Sequence, residues 1–293
     1  MLRNVSLSPQ KAPKQEIYWI LAANEGKSFQ PAILLAKRHR MFTEFAFYAA
    51  AIPAVAVAGL SKGGFGGAMG MLAVPILALV ISPVQAAGIM LPILLVMDAI
   101  SLYFYRRIFD RPTLAVMLPA SIVGIAVGWA TAAYVKEDFV RLLVGLISIV
   151  FALNYWLGDR LRALPAQPNG AKGSFWGMLA GFTSFVSHAG APPFQMYALP
   201  LRLDKQVFVG TSVIFFAVTN AVKLIPYFFL GQFDAANLET AAVLFPLAAL
   251  TTVLGIWIVR VMDQTVFYGL SYLFVMLIGL KLTWDGALSL LAH

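Results

Sequence analysis

The chain has 293 residues, of which 60% are hydrophobic and only 12% charged, with no cysteine, a formal net charge of +8 and a mean hydropathy of +0.82. Soluble domains carry about 25% charged residues, so this composition points to an integral membrane protein of the helical kind. The absence of cysteine excludes disulfides, thiolate metal sites and lipidated cysteine, and the excess of basic residues suits cytoplasmic loops better than nucleic acid.

Residues 1–41 read as a polar, basic tail. Its apolar pieces, Ile17 to Ala23 and Pro31 to Ala36, are too short to span, and no apolar run precedes a cleavage site. The tail ends in Lys37-Arg38-His39-Arg40, a stretch suited to anionic headgroups. Ten apolar segments follow, at 42–60, 66–81, 84–105, 113–135, 139–157, 174–187, 190–201, 206–230, 239–259 and 264–284. Crossing a bilayer takes roughly 17–25 residues. The pieces 66–81, 174–187 and 190–201 are short for that and read as half-helices or re-entrant segments. A Pro/Gly-rich linker at 159–173 separates a first transmembrane repeat, 42–158, from a second, 174–285, and 286–293 is a C-terminal tail.

The two sides of the linker resemble each other. Gly59 and Gly181 each open a break, and Pro75 and Pro200 follow. Asp98, Leu102 and Tyr105 line up with Asn220, Leu224 and Tyr227, and Pro119 and Gly128 with Pro246 and Gly255. Paired helix breaks in an internal repeat are a mark of secondary transporters. Basic residues at Arg106, Arg107, Arg111, Arg160, Arg162, Lys172, Arg202, Lys205 and Arg260 mark cytoplasmic loops, while the loop 231–238 carries Asp234 and no base. The fold expected is an all-α polytopic membrane protein with two homologous, inverted repeats of about five segments each and broken or re-entrant helices at the glycine-rich motifs. The basic tail then falls outside, against the positive-inside rule.

The chain is organised around the first break, Gly59 to Pro75. Glycine costs about 1 kcal/mol of helix propensity against alanine, and non-helical backbone survives in lipid only where protein buries it or a cavity wets it. Bare N–H groups and Lys62 together make an anion site, with Ser61, Lys62, Gly63, Gly64, Gly66 and Gly67 as candidate ligands. Close helix packing is the competing explanation; it accounts for Gly66 and Gly70. The second break brings Ser184, Ser187, His188 and Gly190 as candidates, with Pro192-Pro193 suited to the first turn of a new half-helix. Its hydroxyls, Thr183 included, can alternatively cap their own helix. Ionisable residues within spans are functional candidates. Asp98, with its repeat mate Asn220, and Lys223 are candidates for coupling, or for an ion pair of Asp98 with Lys62 or Lys223. His188 is either a proton relay or a hydrogen-bonded ring.

Gly59-Leu60-Ser61-Lys62-Gly63 also matches G-x-S-x-G, which raises an intramembrane serine hydrolase; that motif needs a strand-to-helix elbow. No histidine pairing with metal-ligand spacing occurs, and no cofactor is expected. Gly63-Gly64-Phe65-Gly66-Gly67, followed by Val74-Pro75 and the turn Pro83 to Gly88, resembles the sulfite exporter TauE/SafE family of membrane permeases over about residues 42–285. The resemblance implies a secondary transporter in the bacterial cytoplasmic (inner) membrane that moves sulfite or organosulfonates. In the second half the family repeats the glycine-rich run, where this chain has Ser187-His188-Ala189-Gly190-Ala191-Pro192-Pro193. The expected partners are a small anion and the lipid bilayer, with a homodimer allowed and nucleic acid not. A carboxylate or other anion permease is the alternative within transport.

Overall fold

The computed structural model describes residues 45–131, 134–135, 137–157, 165–229 and 235–291. The tail 1–41, Arg160, Arg162 and Asp234 lie outside them. Among the described residues the chain is helical throughout, with no strand. Helix α1 is Phe45–Gly64, α2 Ala73–Leu77, α3 Pro83–Tyr105, α4 Arg111–Thr131 and α5 Glu137–Leu157. Beyond the linker, α6 is Gly170–Ser187, α7 Ala191–Ala198, α8 Lys205–Phe229, α9 Ala235–Val261 and α10 Gln264–Leu291.

Seven of these helices (α1, α3, α4, α5, α8, α9 and α10) are long and apolar enough to cross a bilayer. Each starts within about one turn of the position the hydropathy predicts. Their outer faces carry exposed Val123, Val150, Leu250, Trp257 and Leu277. On a water-facing surface so many large apolar groups would be costly; against hydrocarbon they are matched to their surroundings. The protein is an integral membrane protein of the helical kind. Side-chain caps set two of the helix starts: Ser82 Oγ accepts from Gln85 N–H ahead of α3, and Asn169 Oδ1 from Lys172 N–H ahead of α6.

The main packing pairs cross the linker. Helix α1 lies along α9, α6 along α4, and α5 along α10; α3 packs on α8 and α9, and α8 also on α4. Glycines bring the backbones together. A Cβ on Gly63 would sit 2.1 Å from the Thr252 carbonyl oxygen of α9, and one on Gly64 2.9 Å from that of Gly255. In the other pairing, a Cβ on Gly181 would sit 2.0 Å from the Ser121 carbonyl, and one on Gly124 2.0 Å from that of Met178. Small residues serve this purpose in membranes, where dispersion between closely apposed helices replaces the hydrophobic effect.

This contact moves the first break. The glycine content predicts a break from Gly59, yet α1 stays helical through Ser61, Lys62, Gly63 and Gly64. Their propensity cost is offset by the approach to α9. Gly70, expected as a packing glycine, has no neighbour within 4 Å of its Cβ position. The backbone turns at Gly66 and Gly67, whose φ values of 62° and 75° lie in the left-handed region that glycine enters freely. A 3₁₀ turn, Ala68–Leu72, then leads into the short α2.

Candidate functional site

Both breaks are closed by the same kind of bond. In the first, the Ser61 carbonyl accepts from Phe65 N–H at 2.8 Å and from Gly67 N–H at 3.0 Å. Ser61 Oγ accepts from Met69 and Gly70 N–H at 2.8 and 3.1 Å, so this hydroxyl ties the 3₁₀ turn to the end of α1. In the second, the Thr183 carbonyl accepts from Ala189 N–H at 3.1 Å, and the single proton of Thr183 Oγ1 lies between the Leu179 carbonyl of its own helix, at 2.8 Å, and the Ala189 carbonyl, at 3.0 Å. Each of these bonds joins residues six apart, one more than the usual Schellman closure, and brackets a left-handed residue. In the first break that residue is Gly66. In the second it is His188, at φ 54°, a conformation histidine enters more readily than most side chains. Helix α7 restarts at Ala191 with proline in its first turn.

The breaks touch. Gln195 of α7 is fully buried, and its Nε2 donates to the Phe65 carbonyl at 3.3 Å. Its Oε1 is buried without a hydrogen-bond partner. Sequence reading missed this residue; a lone amide two positions after Pro193 in an apolar turn was the available signal.

A charged cluster lies beside the breaks. Lys62 Nζ at the end of α1 forms a buried ion pair with one carboxylate oxygen of Asp98 on α3. The other oxygen accepts from Asn220 Nδ2 of α8 at 2.7 Å. Both acceptor atoms of Asp98 are thereby occupied, and its negative charge is matched. Lys62 Nζ also lies 5.8 Å from the centre of the Phe216 ring, within cation–π range. One helical turn beyond Asn220, Lys223 Nζ donates to the Ser184 carbonyl at 3.2 Å and to Ser184 Oγ at 3.0 Å. Lys223 is 2% exposed, and those two neutral oxygens are its hydrogen-bond partners.

Lys62, Ser184, His188, Gly190, Asn220 and Lys223 line a cavity of about 50 Å³. One water needs roughly 10–15 Å³ on the same measure, so the space suits a few waters or one small oxyanion. Gly67 and Gly70 join the wall on the side of the first break, together with Ala73 and Val74, and Phe216 was not foreseen there. The other expected residues take different places. Gly63 and Gly64 face α9, Gly66 packs against Phe208 and Ser212, and Ser187 Oγ donates to the Thr183 carbonyl within its own helix at 3.2 Å. Asp98 stands behind Lys62 and Asn220 rather than in the cavity wall.

A family model described as "Sulfite exporter TauE/SafE" matches residues 51–282. A curated relative from Cupriavidus necator, "Probable sulfite/organosulfonate exporter TauE", is 30% identical over 144 residues, which cover 47% of this chain and 53% of that protein. The chain thus matches about half the length of that relative. No solved structure matches the chain. The family match runs from within α1 to within α10, through both breaks and every residue of the cavity wall, and the chain belongs to the sulfite exporter TauE/SafE family.

Proposed function

We propose that the protein is a secondary transporter that carries a small anion, a sulfur oxyanion or an organosulfonate, across the bacterial cytoplasmic membrane by alternating access. The observation that carries this reading is Lys223. It is a buried amine at a small cavity, and among the described residues its hydrogen-bond partners are the two oxygens of Ser184. Ionisable residues within membranes face partners or substrate paths, and a lysine with no carboxylate beside it among the described residues is suited to receive an anion. Lys62 contributes less than its position in the glycine-rich run suggests, because Asp98 already matches its charge. The printed descriptions of the family and of the relative, both exporters of sulfur anions, support the substrate class. Ser61 supports transport over hydrolysis: its Oγ is taken up by two backbone N–H groups of the 3₁₀ turn. Binding of sulfite, thiosulfate, sulfoacetate, taurine, sulfate and acetate to purified protein tests the reading. At least one sulfur anion is expected to raise the melting temperature more than acetate does; stabilisation by none of them removes the anion pocket.

The halves are proposed to be inverted repeats. Loop charge supports the inversion, and exchanged packing supports the duplication: α1 of the first half lies on α9 of the second, and α6 of the second on α4 of the first. So does one sequence offset, 122 residues, which relates Asp98 to its hydrogen-bond partner Asn220. The same offset relates Lys62 to Ser184, Gly66 to His188, and the bond Gly67–Ser61 to the bond Ala189–Thr183. Single cysteines placed in this cysteine-free chain are expected to label the loops at 106–111 and 202–205 from one side and the loop at 231–238 from the other. Equal labelling of 106 and 231 from one side would instead show a parallel repeat.

A further inference from the structure

An empty cavity and a filled one make different demands on Lys223. The charged and titratable groups around it are Lys62 from α1, Asp98 from α3 and the His188 ring from the α6–α7 turn. The other helices packed on α8 bring none to the cavity. Helix α4 carries only Arg111, at its exposed start, and α6 carries Lys172 at its exposed start. On α9, Glu239 is exposed and Arg260 lies over Phe104; on α10, Lys281 and Asp285 pair with each other. Asp98 is committed to Lys62 and Asn220. Among the described residues no carboxylate remains for Lys223.

A bare ammonium in such a place lacks the compensation that buried charge requires. With an anion beside it, the same ammonium becomes half of a hydrogen-bonded pair, which a protein interior tolerates. The Lys62–Asp98 pair is neutral in either case. We infer that Lys223 takes up a proton together with the anion, so that the protein moves one proton with each singly charged anion and the cavity is electrically neutral both empty and full. This rests on the anion pocket proposed above and adds its coupling. Only a neutral pocket passes readily through the low-dielectric middle of the membrane. An empty carrier whose Lys223 stays charged would be held back, and the return step would fail.

Methanesulfonate is a suitable probe because it is a single anion at every accessible pH, so any proton that moves comes from solvent through the protein. With full-length protein in liposomes, an inward methanesulfonate gradient is expected to acidify the lumen by one proton per anion. Binding affinity is expected to fall tenfold per pH unit on the alkaline side, because the complex holds one proton more than the free protein. A potassium–valinomycin potential of 100 mV should leave accumulation unchanged, whereas a bare anion would be redistributed about fifty-fold. Lys223→Arg fixes the charge. Whatever exchange of labelled for unlabelled methanesulfonate the variant retains, its net flux is expected to fall at least tenfold further than its exchange. Binding that is flat with pH, together with flux driven by the potential, would overturn the coupling and leave the pocket standing. Absence of methanesulfonate binding at any pH would bring down the pocket, and the coupling with it. If the arginine variant does not fold, the proton-to-anion ratio of the unaltered protein decides alone.

Discussion

Lys223→Gln is expected to weaken binding of a small sulfur anion by roughly a hundredfold to a thousandfold, with the melting temperature of the unliganded protein held. Hydrogen bonds to charged groups contribute about 1.5–3 kcal/mol, and loss of one member of a buried pair costs about 3–5 kcal/mol, where 1.4 kcal/mol is a factor of ten. The glutamine amide can still donate to Ser184 Oγ, which the lysine reaches at 3.0 Å. No carboxylate loses its cation, so the fold has little reason to respond. Calorimetric titration in detergent measures the affinity. A glutamine variant that binds within threefold of the parent would place the anion on some other group.

Lys62→Gln is expected to act on stability first. Asp98 is 2% exposed, and its second oxygen already holds Asn220. Removing the ammonium leaves a buried carboxylate with one neutral donor, a loss of about 3–5 kcal/mol. Adding Asp98→Asn should recover most of it, because the double variant buries no charge at this place. Melting temperatures of the four proteins in the cycle give the coupling directly. Additive losses would mean that the pair contributes nothing. A collapse of anion binding with the melting temperature kept would return Lys62 to the role its glycine-rich surroundings first suggest.

Hydropathy was enough to locate the seven long helices, because a bilayer sets their length and leaves little freedom. The breaks were less legible. Gly59, Gly63 and Gly64 look like helix breakers along the chain and behave as packing surfaces in space; what separates the two is α9, far along the sequence. Gly66 and Gly67 are indistinguishable from them by composition, yet they alone carry the left-handed turn. His188 stood out as a departure from a glycine-rich pattern, but its left-handed backbone is a property of the Thr183–Ala189 closure. The cluster itself was half visible. Repeat alignment brought Asp98 to Asn220, and the pairing of Asp98 with Lys62 was one of two alternatives. Which lysine is left without a carboxylate could not be read, because that depends on a bond between α1 and α3 that no local pattern encodes.

The crossing of α1 onto α9 bears on how the protein is made. Helix α1 ends at Gly64 and its partner begins at Ala235, about 170 residues later. At ≈ 5–20 residues per second, the ribosome completes α9 roughly 10–40 s after it has completed α1. Throughout that wait the glycine face of α1 meets lipid or a chaperone. Its lysine need not wait as long. Asp98 lies only 36 residues further on, so the ion pair can form within the first few seconds of insertion and let two charges enter the bilayer as one neutral unit. Nascent chains arrested after residue 130 should therefore already hold Lys62 out of reach of water-soluble amine reagents, long before the helix it finally rests on exists.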